Sequence, residues 1–142
     1  MKKVTVYTDG ACSVNPGPGG WAYIVDDNGT RFEGHGHEPD TTNNQMELMA
    51  LIQALSSLDE PCEVDIYSDS KYVLQGLEKW MENWKKNGWR TAAKKPVKNK
   101  ELWEALDKLK GTHTLNYNWI KGHNGHPENE RVDELATSRC HV

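Results

Sequence analysis

The sequence predicts a protein of the α/β class built as a single domain. Its 142 residues are the length of one ordinary domain and can bury about 70% of the surface that the unfolded chain exposes. Segments with the two-residue period of a strand are interspersed with segments of helical period. Two of the strand-like segments share one pattern, V-x-[VI]-Y-[TS]-D, which ends each of them in aspartate.

The first part of the chain predicts an antiparallel meander of three strands. Residues 4–9 alternate with a period of two and predict the first strand. Residues 15–20, Asn-Pro-Gly-Pro-Gly-Gly, predict a loop, because proline and glycine interrupt regular structure. Residues 21–25 and 30–37 predict the second and third strands, and the Asp-Asn-Gly turn at 27–29 joins them.

The rest of the chain alternates helices with strands. The first helix is predicted over residues 42–58, where Thr42 and Gln45 have the spacing of a capping box. The elements that follow are a strand at 64–68, helices at 70–77 and 101–110, a strand at 114–120 and a helix at 128–139. No low-complexity segment or long linker interrupts them, so residues 1–142 are predicted to form one domain.

The sequence predicts neither a membrane segment nor a disulfide framework. It has no run of about 18 apolar residues, the length that crosses a membrane. Residues 1–7 enter a strand pattern and do not form an apolar leader. The three cysteines, Cys12, Cys62 and Cys140, are an odd number without C-x-x-C spacing. These features predict a cytoplasmic protein with reduced thiols.

Charge is segregated along the chain. Seventeen basic and 21 acidic residues give a net charge of −4, yet residues 79–100 hold eight bases against the single acid Glu82. The remaining sequence holds nine bases and 20 acids. A positive segment of this kind can bind the phosphates of a nucleic acid in spite of the net negative charge.

Tryptophans interleave with the bases of this segment, which we call the basic arm (residues 79–100). Flat rings that alternate with lysine and arginine are typical of surfaces that bind nucleic acids. Alternatively, the tryptophans form the apolar face of a helix, and the spacing of Trp80 and Trp84 fits that role. Both interpretations can hold, because only the basic side chains must reach phosphates. The candidate binding residues are Trp80, Trp84, Lys85, Lys86 and Arg90.

The repeated strand pattern ends in Asp9 and in Asp69. If the two strands lie side by side and parallel, both carboxylates meet at the carboxyl end of the sheet, where open α/β folds bind their ligands. Each residue alone could have a local role, Asp9 in a turn with Gly10 and Asp69 as the cap of the following helix. The matched positions favour a shared site.

Two further acids and a histidine are candidates for the same site. Glu47 is the only charged residue between residues 41 and 58, on an apolar helix where an isolated carboxylate is costly to bury. It could instead be the acid of a capping box begun by Asn44. Asp133 lies on the last predicted helix, where a solvated position is the simpler expectation. His123, in a glycine-rich loop, could move protons near neutral pH.

A cluster of carboxylates needs a cation, since like charges repel one another. Oxygen ligands select hard ions, and Mg²⁺ is typically held by few carboxylates together with phosphate oxygens of a substrate. Two such ions about 4 Å apart can activate a water and stabilise the leaving oxygen in phosphodiester hydrolysis. The sequence therefore predicts a Mg²⁺-dependent site, with Mn²⁺ as an alternative ion.

Five segments in order contain the candidate residues described above. They are Thr-Asp-Gly-Ala-Cys at 8–12, Asn-Pro-Gly-Pro-Gly-Gly at 15–20, Thr-Asn-Asn-Gln-Met-Glu-Leu at 42–48, Ser-Asp-Ser at 68–70, and Gly-His-Asn-Gly-His with Asn-Glu-Arg-Val-Asp-Glu-Leu-Ala within 122–136. Together they resemble bacterial type 1 ribonuclease H over nearly the whole chain. The resemblance implies a five-stranded mixed sheet, with three antiparallel and two further parallel strands and helices on both faces.

The resemblance also implies an activity and a cofactor. Such enzymes cleave the RNA strand of RNA–DNA hybrids endonucleolytically and leave 3′-hydroxyl and 5′-phosphate ends. The positions that match Asp9, Glu47, Asp69 and Asp133 hold two Mg²⁺ ions. The position that matches His123 assists proton transfer or product departure.

Binding roles follow from the resemblance as well. Cys12, Asn15 and Asn44 match positions along the RNA strand of the hybrid. Asn15, Thr42 and Asn99 match a pocket for a DNA phosphate. The basic arm matches the handle region that lines the DNA strand.

The expected partner is therefore an RNA–DNA hybrid, and the expected protein is a monomer. A DNA nuclease or transposase-like enzyme on the same fold is the first alternative, and the loop at 15–20 and the basic arm speak against it. The second is a hybrid-binding module without catalysis, which the complete set of carboxylates disfavours. Lys71 stands where close bacterial relatives often carry glutamine, which puts one minor-groove contact in question.

Overall fold

Five strands form one mixed sheet in the computed structural model, which describes residues 1–121 and 126–140. The strands are β1 (Lys2–Cys12), β2 (Gly17–Asp27), β3 (Thr30–Thr41), β4 (Cys62–Ser68) and β5 (Thr114–Trp119). Their order is β3-β2-β1-β4-β5. The first three are antiparallel, whereas β1 pairs with β4, and β4 with β5, in parallel. The predicted α/β fold with a five-stranded mixed sheet is confirmed.

Within the same residues, five helices flank the sheet. They are α1 (Asn43–Ser56), α2 (Lys71–Gln75), α3 (Met81–Lys86), α4 (Lys100–Thr112) and α5 (Pro127–Arg139), and a π-helical turn (Gly76–Trp80) joins α2 to α3. α1 begins as predicted, since the hydroxyl of Thr42 accepts a hydrogen bond from the N–H of Gln45. No helix in the two described ranges is long and apolar enough to cross a membrane.

Two predicted boundaries are wrong. The predicted loop at residues 15–20 is mostly strand, because β1 continues to Cys12 and pairs there with Gly19 of β2. Cross-strand pairing thus overrides the glycines and prolines. Helical structure also continues past Leu77 through the π-helical turn into α3. The side chains of Leu77 and Met81 are buried in the core, and this packing extends the helix.

The sheet separates two cores of unequal size. The larger core lies between one face of the sheet and helices α1 to α4. It includes Val4, Val6, Leu48, Leu51, Leu55, Val64, Ile66, Trp103 and Leu106. On the opposite face, α5 packs on β1 and β2 through a smaller group, Ala22, Ile24, Val132 and Ala136. Because helices lie on both faces, side chains of α1 and of α5 can reach the same end of β1.

Candidate active site

Asp9 and Asp69 lie at the same end of the sheet. The parallel register of β1 and β4 sets Tyr7 beside Tyr67, and each tyrosine precedes its aspartate by two residues. Asp9 is 3% exposed, and Asp69 follows the last residue of β4. The two carboxylates therefore meet where the repeated pattern places them.

Glu47 joins them from the helix above the sheet. α1 packs so closely on β1 that a Cβ at Gly10 would overlap the backbone of Met46 and Glu47. The missing side chain at Gly10 lets the helix bring Glu47 over the end of the strand. Asp9, Glu47 and Asp69 each offer one carboxylate oxygen, and these oxygens lie within 4.8 Å of one another.

Burial and crowding oppose charge in this cluster. The pKa of Asp9 is raised, first by burial and then by the negative charges of Glu47 and Asp69. Burial likewise raises the pKa of Glu47. The contact between the two side chains raises the pKa of Asp9 further and lowers that of Glu47. Without a cation, the cluster thus holds a proton that a metal ion would displace.

The donor set suits a hard divalent cation. All three clustered side chains offer only oxygen, the ligand atom that such cations prefer. Oxygen Oε2 of Glu47 is buried and accepts no hydrogen bond from the part of the chain that the structure describes. A buried acceptor without a donor is costly, and a cation would satisfy it. The residues therefore fit a divalent metal ion.

Asp133 approaches the cluster from the other face of the sheet. α5 lies close against β2 at Gly20, where a Cβ would overlap the carbonyl oxygen of Ala136. The half-buried Asp133 side chain is within hydrogen-bonding reach of Asp9. It is therefore more than a solvated residue of the helix surface. His123 lies outside the described residues, and its role stays a prediction.

The residues predicted to hold a DNA phosphate surround the beginning of α1. Asn15 accepts a hydrogen bond through Oδ1 from the backbone N–H of Asn43 at 3.3 Å. The backbone N–H of Gln45 donates to the capping hydroxyl of Thr42. The side chain of Gln45 donates a second hydrogen bond, from Nε2 to Oδ1 of Asn99 at 3.2 Å. Since Asn99 immediately precedes α4, the N-terminal ends of α1 and α4 converge here. Helix N-termini attract anions, so the grouping suits a phosphate.

Two residues predicted to lie along the RNA strand border the same region. The Sγ atom of Cys12 lies 3.4 Å from the carbonyl oxygen of Thr41, and Asn44 is exposed in the first turn of α1. Because Thr42 caps α1, the alternative role of Glu47 as the acid of a capping box begun by Asn44 is wrong.

The tryptophans of the basic arm pack inward. The rings of Trp80 and Trp84 lie 6.0 Å apart between centroids. Trp84 meets Trp103 of α4 at 5.3 Å, and Trp80 meets Tyr72 of α2 at 6.1 Å. The role of Trp80 and Trp84 as the apolar face of helical structure is confirmed, whereas Trp89 lies beyond the end of α3. Contact of these rings with nucleic acid stays a prediction.

The bases of the arm lie outside this aromatic cluster. Lys85, Lys86 and Arg90 are exposed. Lys85 Nζ lies 3.1 Å from a carboxylate oxygen of Asp107 on α4, which offsets part of its charge. The segment after α3 folds back on itself through a bridge between Arg90 and Pro96.

Sequence reasoning missed Tyr72. Its hydroxyl accepts hydrogen bonds from Nδ2 of Asn99 at 3.2 Å and from Nε1 of Trp103 at 3.1 Å. It thereby holds Asn99 at the pocket beside α1. Partners separated by 27 and 31 residues leave no periodic signal, so no spacing rule could have found this contact.

Carboxylates that converge from two neighbouring strands and two helices form the kind of site by which hydrolases of one class hold a divalent cation. A family model described as RNase H matches residues 1–141. The chain belongs to the ribonuclease H family, as a member of its bacterial type 1 branch. It is therefore an enzyme.

Relatives and solved structures agree. Ribonuclease H of Brucella ovis is 63% identical over 136 residues, which are 96% of this chain and 88% of that protein. Ribonuclease H of a Chelativorans species is 59% identical over 96% of this chain and 84% of its own length.

One similar solved structure is that of LC9-RNase H1, described as a type 1 RNase H with the type 2 active-site motif. It superposes with a TM-score of 0.89 at 29% identity. The match covers 99% of this chain and 73% of that chain. LC11-RNase H1 in complex with an RNA/DNA hybrid superposes with a TM-score of 0.73 at 25% identity, over 97% and 96% of the two chains.

Proposed function

We propose that this enzyme hydrolyses the RNA strand of RNA–DNA hybrids and leaves 3′-hydroxyl and 5′-phosphate ends. The observation that carries the proposal is the cluster of Asp9, Glu47 and Asp69, whose oxygens lie within 4.8 Å of one another in a ribonuclease H fold. The similar LC11-RNase H1 was solved with an RNA/DNA hybrid, which supports the choice of substrate.

The cofactor would be Mg²⁺, with Mn²⁺ as an alternative, and two ions would be held by Asp9, Glu47, Asp69 and Asp133. When bound, such ions polarise the scissile phosphate, activate water and stabilise the leaving oxygen. The carboxyl proton of Asp9 would leave as the cation binds. His123 would assist proton transfer or product departure, since an imidazole titrates near neutral pH.

Two groups of residues would hold the two strands. Cys12, Asn15 and Asn44 would contact the RNA strand, where 2′-hydroxyls distinguish RNA from DNA. Asn15, Thr42 and Asn99 would hold a phosphate of the DNA strand at the ends of α1 and α4. The basic arm would follow that strand further. Because contacts with an RNA strand and with a DNA strand are both needed, only a mixed duplex would be a good substrate.

We further propose that the chain acts as one domain and as a monomer, with the basic arm as its handle. In support, one chain alone brings together Asp9, Glu47 and Asp69. We place the enzyme in the cytoplasm, and its three free cysteines suit a reducing compartment.

A cleavage assay tests the proposal. Labelled hybrid, single-stranded RNA, duplex RNA and duplex DNA are incubated at equal enzyme concentration with Mg²⁺, beside EDTA and Asp9→Asn controls. We expect cleavage of the hybrid alone, in the RNA strand, and no product in either control. Efficient cleavage of duplex DNA would favour the DNA nuclease. Tight binding of the hybrid without any cleavage would favour a binding module.

A further inference from the structure

We propose that Trp119 is a positioning residue that holds Asp69 in place for the metal ion. Trp119 is the last residue of β5. Its indole Nε1–H donates a hydrogen bond to the backbone carbonyl oxygen of Asp69 at 3.1 Å. The inference rests on the proposed function, because it concerns the metal-binding role of the carboxylate cluster.

Asp69 lies at a junction where regular hydrogen bonding stops. The pairing of β4 with β5 ends at Ser68 and Trp119, and the next backbone N–H, that of Ile120, donates to the carbonyl oxygen of Ser68 at 3.0 Å. On the other side, Ser70 is the N-cap of α2. The peptide of Asp69 thus lies between the end of a strand and the beginning of a helix, and the indole of Trp119 spans this junction.

A cation lies over the face of the indole. Nζ of Lys71 lies 4.7 Å from the centroid of the Trp119 ring, within the range of a cation–π interaction. Trp119 is 49% exposed, so the apolar core does not dictate its position. An indole has a single donor, and here that donor binds the backbone of Asp69. The hydrogen bond to Asp69 therefore gives the exposed ring a role that its packing does not explain.

The position of Asp69 matters because the clustered carboxylates repel one another until a cation binds. A fixed carbonyl limits how far the Asp69 backbone can turn its carboxylate away from Asp9 and Glu47. Groups that orient the ligands of a metal typically change metal affinity or activity by 10–100-fold when they are lost. We therefore expect loss of the indole donor to weaken Mg²⁺ binding by about 10-fold.

Trp119→Phe and Lys71→Met separate the hydrogen bond from the ring contact. The first keeps an aromatic ring and removes the donor, whereas the second removes the cation and keeps the donor. The Tm of each protein is measured against Mg²⁺ concentration without substrate, because a ligand of the folded state raises Tm according to its affinity. Steady-state kinetics on the hybrid follow at a fixed, subsaturating Mg²⁺ concentration.

For Trp119→Phe we expect half-saturation at a Mg²⁺ concentration about 10-fold higher than that of the wild type. We also expect a kcat below the wild-type value and a KM for the hybrid within about twofold of the wild-type KM. For Lys71→Met we expect Mg²⁺ half-saturation within about twofold of wild type. If Trp119→Phe does not fold, Trp119→Leu also lacks a side-chain donor and carries the same expectation.

Equal Mg²⁺ half-saturation in wild type and Trp119→Phe would overturn the inference. An equal loss of Mg²⁺ affinity in Trp119→Phe and Lys71→Met would overturn it too, because the contact between Lys71 and the ring, and not the hydrogen bond, would then be responsible. A raised KM with unchanged Mg²⁺ binding would assign Trp119 to the substrate. If the wild type showed no Mg²⁺-dependent rise in Tm, the proposed metal site itself would fail, and this outcome is distinct from the others.

Discussion

At the residue scale, the carboxyl group of Asp9 is almost fully buried beside those of Glu47, Asp69 and Asp133. Burial and neighbouring negative charge both disfavour its ionisation, so the metal-free fold is less stable than an uncharged site would make it. We expect Asp9→Asn to raise the metal-free Tm by about 3 °C, the shift that about 1 kcal/mol produces at this chain length. Thermal unfolding in EDTA measures it.

The same substitution removes a proposed metal ligand, so hybrid cleavage and the Mg²⁺-dependent rise in Tm should both disappear. Asp40→Asn is the matched control, since Asp40 is exposed on β3 and should change neither. A metal-free Tm below that of wild type would contradict the repulsion argument. Persistent cleavage would contradict the assignment of Asp9 to the metal.

His113 makes stability depend on pH. The residue is 6% exposed, its Nδ1 accepts a hydrogen bond from the backbone N–H of Cys62 at 3.0 Å, and burial lowers the pKa of its ring. The folded protein therefore keeps the ring neutral, while the unfolded chain takes up a proton below about pH 6.5. The contribution of His113 is complete above that pH and is lost as pH falls, by up to about 1.4 kcal/mol per pH unit, until the folded pKa is reached.

Urea unfolding of wild type and His113→Asn at pH 7.5 and 5.5 measures this effect. We expect the variant to be less stable at pH 7.5 and the gap in unfolding free energy to narrow at pH 5.5. His35→Asn is the control, because it removes an imidazole from an exposed position and not from the buried one. A constant gap for His113→Asn would show that the folded ring also titrates normally.

At the element scale, the distance between α1 and β1 depends on Gly10. Any Cβ there overlaps the backbone of α1 beside Glu47, so Gly10→Ala must push the helix away from the strand. We expect a loss of about 1–3 kcal/mol in unfolding free energy and a lower kcat, because Glu47 moves with its helix. Urea unfolding and steady-state kinetics check both.

Gly111→Ala is the matched control for this substitution. Gly111 lies in α4, and an added Cβ would meet nothing within 4 Å. Alanine is favoured over glycine in a helix, so this change should leave kcat unaltered and raise stability by up to about 1 kcal/mol. Unchanged kcat and stability in Gly10→Ala would show that α1 can shift without cost.

At the scale of the whole molecule, the basic arm and the rest of the protein have opposite charge. Bases at the far end of the sheet are already paired: Lys2 lies 2.6 Å from Asp27, and Arg31 lies 3.1 Å from Asp26. Their charge is compensated within the fold. Lys86 and Arg90, by contrast, are exposed and available to a polyanion. The field that a hybrid meets therefore depends on the arm and not on the net charge.

We expect the triple substitution of Lys85, Lys86 and Arg90 by alanine to weaken hybrid binding nearly uniformly across sequences. The slope of log K against log salt should flatten by up to about 0.9 for each lost phosphate contact on a B-form-like duplex. Lys85 should contribute less than the others because Asp107 partly compensates it. The kinetic effect should fall mainly on KM, since these residues lie on the arm and not in the carboxylate cluster.

A matched triple variant, with Lys2, Lys3 and Arg31 replaced by alanine, removes the same charge from the far end of the sheet. It should leave the salt slope unchanged, and binding measured by fluorescence anisotropy between about 50 and 200 mM salt compares the two. Equal slopes for wild type and the arm variant would show that the basic arm does not contact phosphates.

The sequence by itself determined the fold class, the matched positions of Asp9 and Asp69 on neighbouring strands, and the beginning of α1 at Thr42. Each depends on local pattern: the period of a strand, a repeated motif, or a capping hydroxyl three residues from its donor. It also located the basic arm, because charge segregation is a property of the chain and not of its folding.

Only the tertiary structure decided which side chains meet across the fold. It brought Asp133 to Asp9, Tyr72 to Asn99 and Asp107 to Lys85, and it set the indole of Trp119 against Asp69. These partners lie on different elements, so their proximity depends on how closely helices and strands pack. Packing of that kind follows from the whole core and from close approaches such as the one at Gly10, which leave no periodic trace in the sequence.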